Sequence, residues 1–368
     1  MTKRLIALSF AGALAGLGAS GGEACTSMIF KAEDGTRIYA RTMEWGASDL
    51  KSEMMLVPRS MAFSSALGDG KTGAAWKNQY GFVGVNADNL AYATDGMNEA
   101  GLTVGVLFFP GFAKYQEVKA DDLATTVSNV DLANYILSNF KSVDDVRQAM
   151  PRIRVVRNTA IEKEFGTPLP LHHVVSDATG ASIIIEYVDG QLSVADNKVG
   201  VLTNSPNYDW HLLNLRNYAN LTAQAAPPRS IDGVSLAPFG AGSGMLGLPG
   251  DFTPPSRFVR AVAFVNTMIP AKDAAEAVNA ASVMLNNFDI PKGLVREGSA
   301  EDFHLGYTQW SVIADMSHKV YYYWTMYDRR MRSVDLSKLD FAGKAISSFP
   351  LDRVRTEDIL DRSADFPR

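Results

Sequence analysis

Short apolar runs, separated by turn residues, fill the chain from residue 25 to about residue 112. Residues 26–30 and 37–41 are two such runs, and Asp34-Gly35 between them is a typical turn pair. Residues 102–109 form a longer apolar run that follows a second Gly-containing turn. This pattern predicts a β-hairpin at the start of the region and a buried strand near its end.

The next region has helical periodicity, because apolar residues between positions 128 and 150 are spaced three and four apart. We predict two amphipathic helices there, broken near Lys141-Ser142. Further patterns predict strands at 172–176, 182–188, 191–195, 199–203, 308–315 and 319–327, and helices at about 257–268 and 272–286. This order is typical of sheets covered by helical layers, and no linker divides it, so we expect a single domain over residues 25–368.

Residues 1–24 have the order of a secretory signal peptide. A basic pair precedes an apolar run of about 15 residues, which is short for a helix that spans a bilayer. Small residues follow, so we expect cleavage between Ala24 and Cys25 and a periplasmic or secreted protein without a stable membrane anchor. Attachment of a lipid to Cys25 is the alternative, although the residues before it do not fit the usual lipoprotein signal.

Composition and charge exclude several function classes. The 368 residues have a formal net charge of −5 and no block of either sign, so a nucleic-acid partner is not expected. Cys25 is the sole cysteine, which excludes an intramolecular disulfide and a cysteine-based metal cage. His172 and His173 are adjacent in a predicted strand and face opposite sides, so they cannot bind one ion. We expect neither a metal nor an organic cofactor.

An amino-terminal cysteine would supply a thiol nucleophile and an amine base from one residue. The amine can relay the thiol proton and deliver it to a leaving amine, while the thiolate attacks an amide carbonyl and forms an acyl-enzyme. A nearby guanidinium favours the thiolate, and Arg41, at the end of the return strand of the hairpin, can lie across from Cys25. A solvent-exposed arginine is the alternative interpretation of Arg41.

Cys25-Thr26-Ser27, followed by Ala40-Arg41-Thr42-Met43, resembles the mature start of penicillin V acylases and bile salt hydrolases, which are amino-terminal-nucleophile hydrolases of the choloylglycine hydrolase family. Similar blocks occur at 95–102, 202–206, 214–216 and 248–252, and at Trp210 and 257–258. The similarity therefore spans almost the whole mature chain. It implies an α+β fold, a four-layer αββα sandwich, and hydrolysis of a linear carbon–nitrogen bond in an N-acylated amine.

The resemblance also implies roles for individual residues. Cys25 is expected to be the nucleophile and its amine the base, while Arg41 supports the thiol and Arg257 completes the charge network. Asn204 resembles the oxyanion-hole asparagine of the family, and the backbone N–H of Phe108 is expected to be the second donor. Without the resemblance, Asn204 would be interpreted as a turn residue before Ser-Pro.

Two positions depart from the family pattern. Glu44 occupies the place of an aspartate that holds the amine and thiol of the nucleophile in most relatives, and its side chain is one methylene longer. Phe108 occupies the place of a Tyr or Asn, which keeps the backbone donor and makes the acyl pocket more apolar. We expect Trp45, Phe108 and Phe109 to line that pocket.

The signal-bearing form resembles the penicillin V acylases of Gram-negative bacteria, so penicillin V and N-acyl homoserine lactones are the expected substrates. Bile salt (choloylglycine) hydrolysis is the alternative within the family, and a lipid-anchored binding protein is the alternative from another class. The expected partner is therefore a small-molecule N-acyl amide. The resemblance also implies a homo-oligomer, since relatives are often tetramers.

Overall fold

The computed structural model describes residues 24–366 except residues 69, 302 and 358. The predicted signal peptide, residues 1–24, lies outside the described residues except for Ala24. None of the helices in the described part of the chain combines the length and apolarity that a bilayer-spanning helix requires.

The described residues form strands and α-helices that we number in chain order. The strands before residue 160 are β1 Thr26–Lys31, β2 Arg37–Glu44, β3 Glu53–Val57, β4 Ala62–Gly68, β5 Lys71–Lys77, β6 Phe82–Val85, β7 Asp95–Asn98, β8 Thr103–Phe108, β9 Thr126–Ser128 and β10 Arg154–Val156. The later strands are β11 Leu171–Ser176, β12 Ser182–Val188, β13 Gln191–Asp196, β14 Val201–Leu202, β15 Arg229–Ile231, β16 Val234–Leu236, β17 Val295–Gly298, β18 Phe303–Gly306, β19 Thr308–Asp315, β20 Val320–Thr325, β21 Arg332–Asp335 and β22 Ser347–Pro350. The helices are α1 Leu132–Asn139, α2 Val143–Ala149, α3 Thr159–Phe165, α4 Tyr208–Asn214, α5 Pro254–Thr267 and α6 Ala274–Leu285.

Two antiparallel sheets form the centre of the fold. One has the strand order β14-β1-β2-β19-β20-β21 and the other β13-β12-β11-β8-β7-β6-β3-β22. Helices α5 and α6 contact β1, β2 and β19 of the six-stranded sheet, whereas α1 and α2 contact β7, β8 and β12 of the eight-stranded sheet. The order of layers is therefore helix, sheet, sheet, helix, which confirms the predicted α+β four-layer αββα sandwich.

The predicted hairpin is present as β1 and β2, with the left-handed residue Gly35 in its turn at a φ of 97°. The helical region also divides as expected, because Ser142 accepts a hydrogen bond from the backbone N–H of Asp145 and thereby caps α2. Its first residues differ from the prediction, because Thr126–Ser128 pairs in parallel with Arg154–Val156. Long-range pairing overrides local periodicity there.

The hairpin determines which side chains reach the space between the sheets. Alternate residues of a strand point to the same face, so Tyr39, Arg41 and Met43 of β2 share one face. Arg41 contacts the carbonyl of Thr94, just before β7 of the facing sheet, and Tyr39 contacts Asp95 at the start of β7. This face of β2 therefore lies between the sheets and borders the site described next.

Candidate active site

Cys25 lies directly before β1 in the six-stranded sheet and is only 2% exposed. Arg41 comes close to it because the β1–β2 register places Ser27 opposite Arg41. The Nη2 atom of Arg41 donates a hydrogen bond to Cys25 Sγ at 3.3 Å. Met43, two residues along β2, places its Sδ 3.9 Å from the same sulfur. The structure thus joins the thiol to the predicted guanidinium and buries Arg41 instead of exposing it to solvent.

The guanidinium of Arg41 is held from behind by the facing sheet. Its Nη1 donates to the carbonyl of Thr94 at 2.6 Å and lies 3.4 Å from Oδ2 of Asp95. Burial lowers the pKa of Arg41, but the facing groups Cys25, Tyr39 and Asp95 raise it above the ordinary arginine value overall. The group therefore presents a permanent positive charge to the sulfur, which favours the thiolate.

Arg257 lies in the first turn of α5, in the helical layer that covers the six-stranded sheet, and is fully buried. It approaches Cys25 from this layer. Its Nη1 donates to the carbonyl oxygen of Cys25 and, at 2.8 Å, to Oγ1 of Thr26. Its Nη2 donates to Oδ1 of Asn204 at 2.7 Å, and its Nε donates to the carbonyl of Phe252 at 2.8 Å. Burial lowers the pKa of Arg257 to about 10, although Glu44 and Cys25 act against this. Arg257 thus connects Cys25 to Asn204.

Asn204 follows β14, and its side-chain amide is fixed at both ends. Its Oδ1 accepts from Arg257, and its Nδ2 donates to the carbonyl of Phe108 at 2.8 Å. An amide nitrogen carries two hydrogens, so one N–H of Asn204 is left for another acceptor. The side chain of Asn204 is therefore oriented by two partners, one of which also binds Cys25.

The backbone of Phe108 points to the same edge of β8 as Asn204. The next residue, Phe109, donates its N–H to the carbonyl of Pro170, on the β11 side. Backbone N–H groups alternate in direction along a strand, so the N–H of Phe108 points to the opposite edge, as does that of Val106, which donates to Thr94. The N–H of Phe108 therefore lies on the edge of β8 at which Asn204 binds the carbonyl of Phe108, and the role of these two groups as oxyanion donors stays a prediction.

Glu44 lies at the end of β2 and is fully buried. Its Oε1 accepts from the hydroxyl of Thr308 at 2.6 Å and its Oε2 from the hydroxyl of Thr42 at 3.0 Å. Burial raises the pKa of Glu44 to about 8, although Arg257 and both hydroxyls oppose that rise. Among the contacts between described residues, none joins this carboxyl group to the thiol of Cys25. Its role beside the nucleophile stays a prediction.

An open pocket lies against Cys25, and the space within it is about 670 Å³, part of which is continuous with the solvent. Trp45 and Phe108 form part of its wall and meet edge to face, with ring centroids 5.9 Å apart. Apart from the indole N–H of Trp45, the polar side-chain groups of its described wall are the thiol and the hydroxyls of Tyr92 and Thr94. The remainder of the wall is aliphatic or aromatic, so the cavity suits an apolar group bonded to a carbonyl at Cys25.

The prediction that Phe109 lines this cavity is wrong. Phe109 is fully buried and stacks on His172, with ring centroids 4.4 Å apart, outside the cavity wall. The physical reason is the alternation of side chains along an extended chain, which turns Phe109 away from the face on which Phe108 lies.

Four residues that contact the catalytic candidates had no predicted role. Met43 contacts the sulfur, Thr26 accepts from Arg257, and Thr94 and Asp95 hold Arg41. Thr26 and Met43 lie in the sequence blocks around Cys25 and Arg41, and Asp95 begins another block. Position in those blocks was therefore an available signal, although it does not reveal which atoms meet.

Cys25 is buried, its thiol accepts from Arg41, its carbonyl oxygen accepts from Arg257, and an apolar cavity lies beside it. This arrangement in an αββα sandwich is typical of an amide-cleaving cysteine site. Residues 25–349 match the model of the linear amide C–N hydrolases, choloylglycine hydrolase family. The chain belongs to this family, and it is a hydrolase of carbon–nitrogen bonds other than peptide bonds.

Individual relatives agree with this assignment. The chain is 31% identical over 326 residues to a bile salt hydrolase/transferase of Clostridium perfringens, which covers 88% of this chain and 96% of that protein. It is 29% identical over 360 residues to the penicillin V acylase of Pectobacterium atrosepticum, with 91% and 87% covered. The crystal structure of a variant of the conjugated bile acid hydrolase from Clostridium perfringens superposes with a TM-score of 0.78 at 29% identity, covering 92% and 100%. Family and fold are thus confirmed, and these similarities favour the bile salt alternative over penicillin V.

Proposed function

We propose that this protein is an exported amidohydrolase that cleaves N-acylated amines through an acyl-enzyme on Cys25. The observation that carries the proposal is the contact of 3.3 Å between Arg41 Nη2 and Cys25 Sγ. Arg257 supports it, because this residue binds both the carbonyl of Cys25 and the side chain of Asn204. The proposal includes removal of residues 1–24, because the free amine of Cys25 then serves as the base.

The reaction would proceed in two halves. The thiolate of Cys25 attacks the carbonyl carbon, and the developing oxyanion accepts hydrogen bonds from Asn204 Nδ2 and the N–H of Phe108. The amine, having taken the thiol proton, delivers it to the leaving nitrogen, so the carbon–nitrogen bond breaks and a thioester remains. Water then attacks the thioester, and the same amine accepts its proton and returns one to the sulfur. Arg41 and Arg257 keep their charges throughout.

The wall of the cavity supports a compact apolar acyl group, such as the phenoxyacetyl group of penicillin V or the chain of an N-acyl homoserine lactone. Trp45 and Phe108 offer aromatic faces, and the aliphatic wall gains about 0.8 kcal/mol for each methylene that it removes from water. A hydroxylated steroid would place hydroxyl groups against the same wall, and each one left unpaired costs about 1–3 kcal/mol.

Conjugated bile acids are the second candidate, because proteins similar to this chain are named as hydrolases of these compounds. The chain aligns over most of its length with a bile salt hydrolase/transferase, and its fold superposes on a conjugated bile acid hydrolase. A steroid could keep its hydroxyl face towards solvent, since the cavity is open. The two candidates therefore differ in how deeply the acyl group is buried.

One set of measurements tests the reaction, and another tests the substrate. Sequencing of the exported protein should begin at Cys25, and Cys25→Ala should abolish both turnover and formation of the acyl-enzyme. A mature start elsewhere, or turnover by that variant, contradicts the mechanism. We expect kcat/KM to rise roughly fourfold per methylene along an acyl homoserine lactone series until the cavity is full. A value for glycocholate above all homoserine lactones and penicillin V would assign bile salts instead.

A further inference from the structure

A buried carboxyl group, Asp95, lies behind the site and has no part in the mechanism above. Its Oδ2 accepts from the hydroxyl of Tyr39 at 2.6 Å, and its Oδ1 accepts from the hydroxyl of Tyr321 at 2.5 Å. Its Oδ2 also lies 3.4 Å from Nη1 of Arg41. All four side chains are fully buried, so solvent does not compete for these contacts.

The fold makes room for this cluster at two small residues. Tyr39 and Tyr321 stand opposite Ala314 from its two sides, on β2 and β20, so a methyl group separates the rings within the six-stranded sheet. Asp95 reaches them from the facing sheet, where its neighbour on β8 is Gly105. A Cβ atom at Gly105 would lie 2.1 Å from the hydroxyl of Tyr39 and 3.2 Å from Oδ2 of Asp95. The contact therefore requires glycine there.

We propose that Asp95, clamped by the hydroxyls of Tyr39 and Tyr321, is a positioning residue that holds Arg41 with Nη2 against the sulfur of Cys25. It acts through its own Oδ2 and through the adjacent backbone, because the carbonyl of Thr94 accepts from Nη1 of Arg41 at 2.6 Å. The inference rests on the proposed role of Cys25 as nucleophile. It explains what holds the guanidinium of Arg41 against the sulfur of Cys25.

The surrounding charges agree with this arrangement. Burial raises the pKa of Tyr39 and Tyr321 well above the ordinary value, so both hydroxyls keep the protons that they donate. Burial also raises the pKa of Asp95, while Arg41 and the two tyrosines act against that rise. His173 approaches Arg41 from β11, but burial lowers its pKa to about 3 and leaves it neutral.

The other charged groups that approach the sulfur come from different elements. Arg257 reaches Cys25 from α5, and Glu44 approaches Arg257 from the end of β2. Neither Arg257 nor Glu44 contacts the cluster of Asp95, Tyr39 and Tyr321, so a substitution of Tyr39 or Tyr321 leaves both in place. On the side of Cys25 that faces the eight-stranded sheet, the positive charge near the sulfur is that of Arg41, and its effect depends on the position of the Arg41 side chain.

The test removes the two hydroxyls and leaves the carboxyl group of Asp95 in place, whereas Asp95→Asn would replace that group. Cys25 is the sole cysteine, so the rate of alkylation by iodoacetamide, measured against pH by mass spectrometry, reports its thiolate alone. In Tyr39→Phe/Tyr321→Phe we expect the pH midpoint of alkylation to rise by roughly one unit, and kcat at neutral pH to fall about tenfold with KM nearly unchanged.

Tyr187→Phe is the matched control, because Tyr187 is buried and its hydroxyl has no hydrogen-bond partner among the described residues. Its alkylation midpoint should equal that of the parent. The same double change in an Arg41→Met background should shift the midpoint no further, because the cluster acts through Arg41.

Two results would overturn the inference. One is an unchanged or lower midpoint in the double variant despite reduced activity, which would make the cluster merely structural. The other is an equal shift with and without Arg41. If the double variant does not fold, Tyr321→Phe alone should give a smaller shift of the same sign, and no shift would overturn the proposal. Alkylation needs no substrate, so this outcome is independent of the proposed reaction, which Cys25→Ala tests.

Discussion

Replacement of Asn204 separates its role as a hydrogen-bond donor to the substrate from its role in the fold. The side chain accepts from Arg257 Nη2 at 2.7 Å and donates to the carbonyl of Phe108 at 2.8 Å. Asn204→Ala removes both contacts and the proposed donor to the oxyanion. Asn204→Asp keeps an acceptor for Arg257 and deletes the donor. The two variants therefore lose the same catalytic group and different amounts of structure.

The magnitudes follow from these contacts. Loss of one oxyanion donor lowers kcat about 100- to 1000-fold, or roughly 3–4 kcal/mol of transition-state stabilisation. In Asn204→Ala, the guanidinium of Arg257 and the carbonyl of Phe108 each lose one hydrogen bond, and each loss costs about 1–3 kcal/mol of stability. In Asn204→Asp, the ion pair with Arg257 offsets repulsion by the carbonyl of Phe108, so the loss of stability should be smaller.

Single-turnover kinetics and urea unfolding measure the two effects separately. We expect both variants to lower kcat by at least 100-fold with a smaller change in KM, and the alanine variant to be the less stable of the two. A kcat within threefold of the parent in either stably folded variant would refute the donor role. Activity losses that scale with the losses of stability would instead assign Asn204 to the fold alone.

Two further substitutions test buried groups around the site. The first concerns Glu44 in the chain in which Ala24 is still bonded to Cys25. Its pKa is about 8 in the folded state and about 4.5 in the unfolded state. The folded state therefore binds more protons between these values, and the free energy of unfolding falls as the pH rises from about 4.5 to about 8. This pH dependence of the free energy of unfolding amounts to at most about 1.4 kcal/mol per pH unit, and Glu44→Gln should remove it. Urea unfolding that shows the same pH dependence in the parent and in the variant would contradict the prediction. Gly105→Ala should lose about 1–3 kcal/mol and raise the alkylation midpoint, because its Cβ displaces the hydroxyl of Tyr39. Gly250→Ala, where a Cβ meets open space, should change neither, and equal effects of the two would refute the reasoning.

Local chemistry made much of the fold predictable. Asp34-Gly35 requires little beyond a residue that tolerates a positive φ, and Gly35 has a φ of 97°. The strands predicted at 182–188 and 308–315 coincide with β12 and β19, because segments rich in β-branched and aromatic residues between turns favour strands. The strand predicted at 199–203 is reduced to Val201–Leu202, since pairing with β1 determines its length.

The site was predictable where a residue's position relative to Cys25 follows from one hairpin. Arg41 lies opposite Ser27 because β1 and β2 are joined by a short turn, and this register brings its guanidinium to the sulfur. Contacts that depend on other layers needed the family blocks, as with Arg257 and Asn204. The prediction that Phe109 lines the cavity was wrong because adjacent residues in an extended chain face opposite sides. Composition does not reveal which of two adjacent aromatic residues faces the cavity.

The Asp95 cluster shows why the remainder was not predictable. Its members are separated by 56 residues between Tyr39 and Asp95, and by 226 residues between Asp95 and Tyr321. Tyr321 belongs to an aromatic run within the strand predicted at 319–327, and its ring is fully buried in β20. Burial of the ring also removes the hydroxyl from water, which favours a hydrogen-bond partner but does not guarantee one, as Tyr187 shows. The sequence therefore indicates burial of Tyr321, whereas the packing of two sheets determines that its hydroxyl meets a carboxyl group beside Arg41.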